Sequence, residues 1–255
     1  MPKSKTKKRS GTDATENRPK RSRQSQGGTP VNSASQGGGD VEARESPLQG
    51  HKCLWIMGSS IVHWAERTAR LDDPQLGFTK HNMSVKWKGC RGLVFDGLDK
   101  LMDSMLMEMP KPQFILIHCG SNDLTSEGVT GKMLIEKIQC SILRYQALFC
   151  KTTIIWSSIL QRRYWHYAPL GAGKKIEKKR TRVNIAIKSF ILKNGGQYID
   201  NNNISAKEVN LFHTDGTHLS SLGNSILINN WKTALQSLIN STPDNSLLTL
   251  PTATL

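Results

Sequence analysis

The sequence predicts an α/β fold, a central and mostly parallel sheet of five strands with helices on both faces. Two observations carry that expectation. Short apolar segments rich in β-branched and aromatic residues recur along the chain, and amphipathic stretches of helical period separate them. Parallel strands need crossover connections of about a dozen residues or more, which helices supply. A third observation bounds the folded part: composition changes abruptly at Cys53, and the strand-helix alternation then runs to about Asn240.

The first strand is CLWIM, Cys53 to Met57, followed by a helical pattern from Ile61 to Ala69. MSVKW, Met83 to Trp87, is the second strand; after it, Leu98, Leu101, Met102, Met105 and Leu106 fall on one face of a helix expected from about Leu93 to Met107. The methionines between Met102 and Met109 keep mostly helical spacing, so they read as core packing rather than as a soft binding surface. FILIH, Phe114 to His118, is the third strand, and the helix from Lys132 to Leu148 after it places Ile135, Ile138, Ile142 and Leu143 together. TTIIW, Thr152 to Trp156, is the fourth. A helix from Ile176 to about Leu192 leads to a weaker strand, QYID, Gln197 to Asp200, after the Gly195-Gly196 break. The last helix is expected from Ser221 to Ile239.

From Met1 to about Gly50 the chain is Gly, Ser, Pro, Gln and charge, too poor in apolar residues to offset the entropy of ordering, and it is expected to be a disordered basic tail. Its clusters Lys3 to Arg9 and Arg18 to Arg23 suit a nuclear-import signal, a phosphate-binding arm or a solvated linker. Ser241 to Leu255 reads as a flexible C-terminal tail. The formal net charge of +15 over 255 residues favours polyanionic partners without naming one. Five cysteines, odd in number and without C-x-x-C spacing, suggest reduced thiols. With no apolar run of membrane-spanning length and no secretory signal, an intracellular protein of cytoplasm or nucleus is expected.

In an open α/β sheet, sites form outside the carboxyl ends of the strands. The residues there are Gly58-Ser59-Ser60-Ile61 after the first strand, Gly89-Cys90-Arg91-Gly92 after the second and Gly120-Ser121-Asn122-Asp123 after the third; Asp215-Gly216-Thr217-His218 stands near the C-terminus. A serine on a strand-to-helix turn is placed for nucleophilic attack, though alone it reads first as a helix N-cap. Asp215 can accept the imidazole Nδ1 proton of His218 and leave Nε2 facing a serine, or it can cap a helix beside an unrelated histidine. Asn122 can donate to an oxyanion or serve as an ordinary turn residue, and Gly92 can offer a backbone N–H to the same oxygen.

Taken in order, Gly-Ser-Ser, Gly, Gly-x-Asn-Asp and Asp-x-x-His resemble the four blocks of the SGNH (GDSL-like) hydrolase superfamily, and the resemblance spans roughly Cys53 to Asn240. It implies a three-layer α/β/α, flavodoxin-like fold and an esterase activity on a small ester or acyl substrate. By position it implies Ser60 as nucleophile, Asp215 and His218 as the rest of the triad, and an oxyanion hole made of the Ser60 N–H, Gly92 and Asn122. No metal or cofactor is implied. One departure stands out: Ser59 occupies the place of the family's usual aspartate. The basic tail and the segments WIMGSSIVHWA and WKGCRG also resemble SGNH-like reading frames of vertebrate retrotransposons of the Ngaro type. The alternative is a catalytically weak SGNH-fold module that binds nucleic acid or an assembly partner.

His213-x-Asp215-x-x-His218 can also be read as two imidazoles and a carboxylate around a metal, but no further ligand set of suitable spacing accompanies it. Gly171-Ala172-Gly173-Lys174-Lys175 lacks the first glycine and the hydroxyl of a phosphate loop. The basic run Lys174 to Arg182, with Arg162, Arg163, Tyr164, Trp165 and Tyr167 just upstream, suits contact with phosphates and bases, or else a lid loop after the fourth strand.

Overall fold

The computed structural model describes residues 51–241; the expectations for the basic tail and for the C-terminal tail from residue 242 lie outside the described residues. Strands β1 (Lys52–Gly58), β2 (Met83–Gly89), β3 (Phe114–His118), β4 (Thr153–Ser157) and β5 (Gln197–Ile199) form one sheet in the order β2-β1-β3-β4-β5. Every pairing is parallel. The crossovers are helices α1 (Ser60–Ala69), α2 (Asp96–Glu108), α3 (Gly131–Leu148) and α4 (Gly173–Lys193), and α5 (Ser221–Ser241) follows β5. Short 3₁₀ turns at Phe78–His81 and Val209–Leu211 carry too little periodicity to be read from sequence.

Side chains alternate across a strand, so β1 divides its residues between two cores. Cys53, Trp55 and Met57 face Leu98, Met102 and Met105 of α2, with α3 and α4 alongside. Leu54 and Ile56 face Ile61, Val62 and Ala65 of α1 and Leu227, Trp231 and Leu235 of α5. Three helices therefore cover one face of the sheet and two the other, which explains why β1 and β3 are apolar at nearly every position, with Lys52 and His118 at strand ends. Of the methionine run, Met102 and Met105 are buried while Met107 is exposed.

Helix α2 begins at Asp96, later than its apolar period suggests. The Leu93 carbonyl accepts from the Asn122 side chain, and the Phe95 N–H donates to the Asp123 carboxylate at 2.9 Å. Those tertiary bonds hold the preceding residues in a loop. The same loop borders the site.

Candidate active site

Gly58 ends β1 and Ser60 begins α1. The turn between them requires glycine, because a Cβ on Gly58 would lie 2.0 Å from the His118 carbonyl oxygen. The Ser59 N–H donates to that oxygen at 3.2 Å and the Cys90 N–H to the Gly58 carbonyl at 2.9 Å, tying the ends of β3, β1 and β2 together. Ser60 stands at the first position of α1, where a backbone N–H has no acceptor within the helix. Ser59 precedes it as N-cap, yet its hydroxyl makes no capping bond and is buried without a partner. A capping role therefore does not account for the second serine.

The sequence places Asp215 and His218 three residues apart, and the loop folds that spacing into a closed hydrogen-bonded turn. Asp215 Oδ1 accepts from the N–H groups of Thr217 at 2.8 Å and His218 at 2.9 Å, and Oδ2 lies 2.7 Å from His218 Nδ1. Partial burial pushes the Asp215 carboxyl up, but bonds from the His218 ring and from the His218 and Thr217 N–H groups outweigh it and hold it down at about 2. An anionic Asp215 keeps the ring proton on Nδ1 and leaves Nε2 as an acceptor. Nε2 lies 3.0 Å from Ser60 Oγ, across 158 residues of chain.

Asn122 donates one amide hydrogen to the Leu93 carbonyl at 2.9 Å, which leaves its second N–H free to point elsewhere. Gly92 has φ +73°, and no described residue accepts from its N–H. Ser60, Gly92, Asn122, Asp215 and His218 all border one cavity of about 630 Å³. It opens where the crossovers diverge, between the carboxyl ends of β1 and β3. All five sequence-predicted residues are thus brought to one place.

His213 does not join them as a ligand. Its Nδ1 is 3.7 Å from Asp215 Oδ2 on an exposed side chain. Among the described residues no group of three His, Cys, Asp or Glu side chains is arranged to hold a metal ion.

The segment after β4 differs most from its sequence reading. Arg162 and Trp165 turn inward and are buried, whereas Tyr164 and Tyr167 are exposed, so the five residues do not form one base-stacking surface. Arg163 and Tyr164 donate their N–H groups to the Gly216 carbonyl at 2.8 and 3.1 Å, Thr217 Oγ1 donates to the Tyr164 carbonyl at 3.1 Å, and His166 Nε2 donates to the Asp215 carbonyl at 2.7 Å. This is a brace on the Asp215–His218 turn rather than a free lid. Arg162 Nη2 donates to Ser121 Oγ at 2.7 Å and to Asn122 Oδ1 at 3.0 Å. Arg162 follows the carboxyl end of β4, so the strand-end rule that singles out Ser60, Gly92 and Asn122 also covers it. Its neighbours Arg163 to Tyr167 draw it into a basic, aromatic reading instead.

No family model matches the chain, and no curated protein does. Solved structures do. A GDSL-like lipase from Bacteroides thetaiotaomicron superposes with a TM-score of 0.55 at 18% identity, covering 75% of this chain and 91% of the other. The esterase EstA from Pseudoalteromonas gives 0.53 at 16% identity, over 74% of this chain and 99% of its own. An acetyl xylan esterase from Geobacillus stearothermophilus gives 0.54 at 15% identity, with coverages of 71% and 92%. At such identities the likeness speaks to the fold, and by its parallel five-stranded sheet and flanking helices the chain has the α/β fold of the GDSL-like, SGNH hydrolases.

Proposed function

We propose that this protein is a serine hydrolase of esters or related acyl substrates, with Ser60 as nucleophile, His218 as general base and Asp215 as the group that orients it. The observation that carries the proposal is the continuous path from Asp215 Oδ2 through the His218 ring to Ser60 Oγ, at 2.7 and 3.0 Å. The first distance suits the bond that orients the ring, and the second suits proton transfer from the serine. Ser60 Oγ attacks the acyl carbon while its proton passes to Nε2; the imidazolium is stabilised by the Asp215 carboxylate and then protonates the leaving alcohol. Water, activated by the same nitrogen, releases the acyl group. The oxyanion is received by the N–H groups of Ser60 and Gly92 and by the Asn122 amide, all at the mouth of α1 where the helix dipole favours negative charge. The names of the superposed lipase and esterases fit this reaction class.

Incubation with a fluorophosphonate probe, followed by mass spectrometry, tests the assignment. The expected result is a single adduct on Ser60 that disappears in Ser60→Ala; an adduct elsewhere, or none, overturns it.

A second reading concerns polyanions. Lys132, Lys175, Lys178, Lys179 and Arg182 line a groove of about 480 Å³ between α3 and α4, apart from the serine site. Lys179 is engaged there by the carbonyls of Asp123, Leu124 and Val129, so the remaining four cations are the ones that suit phosphates. Fluorescence polarisation with a short single-stranded RNA, comparing wild type with Lys175→Glu/Lys178→Glu, tests whether this groove adds to whatever the tail contributes. Intracellular residence is proposed on the five unpaired cysteines. No helix of the described residues is long and apolar enough to cross a membrane. The retrotransposon resemblance rests on WIMGSSIVHWA, WKGCRG and the basic tail.

A further inference from the structure

Arg162 is 9% exposed and carries a charge that no described residue neutralises directly. Its Nη2 hydrogens go to two neutral oxygens, Ser121 Oγ and Asn122 Oδ1. No carboxylate among the described residues lies within ion-pair distance, and Asp215 acts on it only from farther away. The N–H groups on Nε and Nη1 have no acceptor among the described residues, neither nitrogen is fully enclosed, and Arg162 lines the cavity together with Ser60 and Asn122. The guanidinium plane is braced by Trp165, whose ring centroid lies 5.0 Å from Cζ. Burial draws its pKa down to about 10 against the opposing pull of Asp215, so it remains a cation at neutral pH.

A buried, unpaired guanidinium is costly unless something supplies the missing acceptors. Structural needs account for Nη2 alone. Asp215 is not a direct counter-ion, because it lies beyond ion-pair distance and its oxygens bind His218 and Thr217. Arg91, the other arginine at the cavity, adds positive charge. Both Nη2 hydrogens are taken, so neither paired edge of the guanidinium is free. What the remaining Nε and Nη1 N–H groups fit is an anionic oxygen of a carboxylate or phosphate, held by single charge-assisted bonds.

We propose that Arg162 forms an anion subsite beside the oxyanion position, so that the substrates of this cavity are esters bearing a carboxylate or phosphate close to the scissile bond. The inference builds on the serine-hydrolase reading for the chemistry and on Arg162 alone for the recognition. Its contact with Asn122 also makes Arg162 a positioning residue, and the two roles separate in their kinetics.

The test compares kcat/KM for matched pairs in the full-length protein. For an acyl-side carboxylate the pair is p-nitrophenyl hemisuccinate and p-nitrophenyl butyrate; for an alcohol-side phosphate it is 1-acetylglycerol 3-phosphate and 1-acetylglycerol. Wild type is expected to favour the charged member of at least one pair by about tenfold or more, with the favoured pair identifying the side. Arg162→Gln should bring that ratio close to unity and Arg162→Lys should restore part of it. Equal losses on charged and neutral members, or no preference in wild type, overturn the subsite and leave Arg162 as a support for Asn122. A binding measurement needs no turnover: calorimetry of Ser60→Ala with monomethyl succinate and with inorganic phosphate. Loss of about tenfold or more in affinity for one of them on adding Arg162→Gln supports the subsite even if Ser60 proves inert, whereas unchanged affinity for both overturns it. Arg162→Lys replaces Arg162→Gln in each arm if the glutamine variant melts early.

Discussion

The two sides of the cavity are assembled in different ways. On one side Asp215 and His218 meet within a single short turn, and only Ser60 arrives from far along the chain. On the other, Asn122 is held between the Leu93 carbonyl, before α2, and Arg162, 40 residues away beyond β4. A local turn bonds the first pair to each other, and the segment after β4 braces that turn from outside. The second side exists only when three strand ends are already in register. In the proposed reaction the first side moves the proton and the second receives the charge, so damage to each should look different.

The largest effect is expected on the proton-moving side. His218→Ala should lower kcat for a p-nitrophenyl ester by on the order of 10⁴, and Asp215→Asn by a similar factor because it removes the acceptor that fixes the ring tautomer. Both should keep the wild-type melting profile within a few degrees, as neither side chain belongs to the two cores. A stopped-flow or steady-state assay reads the first, and calorimetry the second. On the charge-receiving side Asn122→Ala should cost about 10² to 10³ in kcat, the usual cost of losing one oxyanion donor. KM should move little, since the donor acts mainly on the developing charge. If Asn122→Ala and His218→Ala cost the same, the division between the two sides is wrong.

A smaller effect probes what lies behind both sides. His118, at the end of β3, is buried, shares Ser157 Oγ with Trp231 and Asn201, and lies near Arg162. Burial, aided by the Arg162 charge, lowers its pKa from about 6.5 to about 3. The folded protein thus keeps His118 neutral where the unfolded chain protonates it. That contribution is whole above about pH 6.5 and is lost as pH falls from there toward 3, at no more than about 1.4 kcal/mol per pH unit. Urea midpoints measured between pH 7 and pH 4 should show the decline, and it should be shallower in His118→Gln. An equal slope in both proteins removes His118 as its source.

The smallest effect is expected at Ser59. Its hydroxyl is buried without a partner, so Ser59→Ala removes an unsatisfied group and should leave stability unchanged or raised by up to about 1 kcal/mol, with activity retained. A strongly destabilised or inactive Ser59→Ala would mean that this hydroxyl holds the nucleophile turn in place of the missing aspartate. The backbone argues otherwise: the turn is already fixed by the close approach of Gly58 to His118 and by the Ser59 and Cys90 N–H bonds.

Much of the sheet was legible because a parallel strand buried on both faces is apolar at nearly every position, and β1, β3 and β4 each satisfy that. Helix starts were less so, as at α2, where a bond from Asn122 to the Leu93 carbonyl and one from the Phe95 N–H to Asp123 hold the preceding residues and apolar spacing carries no trace of them. The short 3₁₀ turns likewise follow from the chain's path rather than its period.

For the site, the sequence by itself determined which strand ends carry a serine, a glycine, an asparagine and an Asp-x-x-His pair, since residue type and order survive without coordinates. It also determined that Asp215 and His218 could bond, because three residues of loop keep them within reach. Tertiary structure alone decided that His218 faces Ser60, and that Arg162 is buried at the lining of the cavity although it begins a run that reads as an outward basic patch. Spacing governs contacts within a turn; contacts across 40 or 158 residues depend on which strand ends the sheet brings side by side.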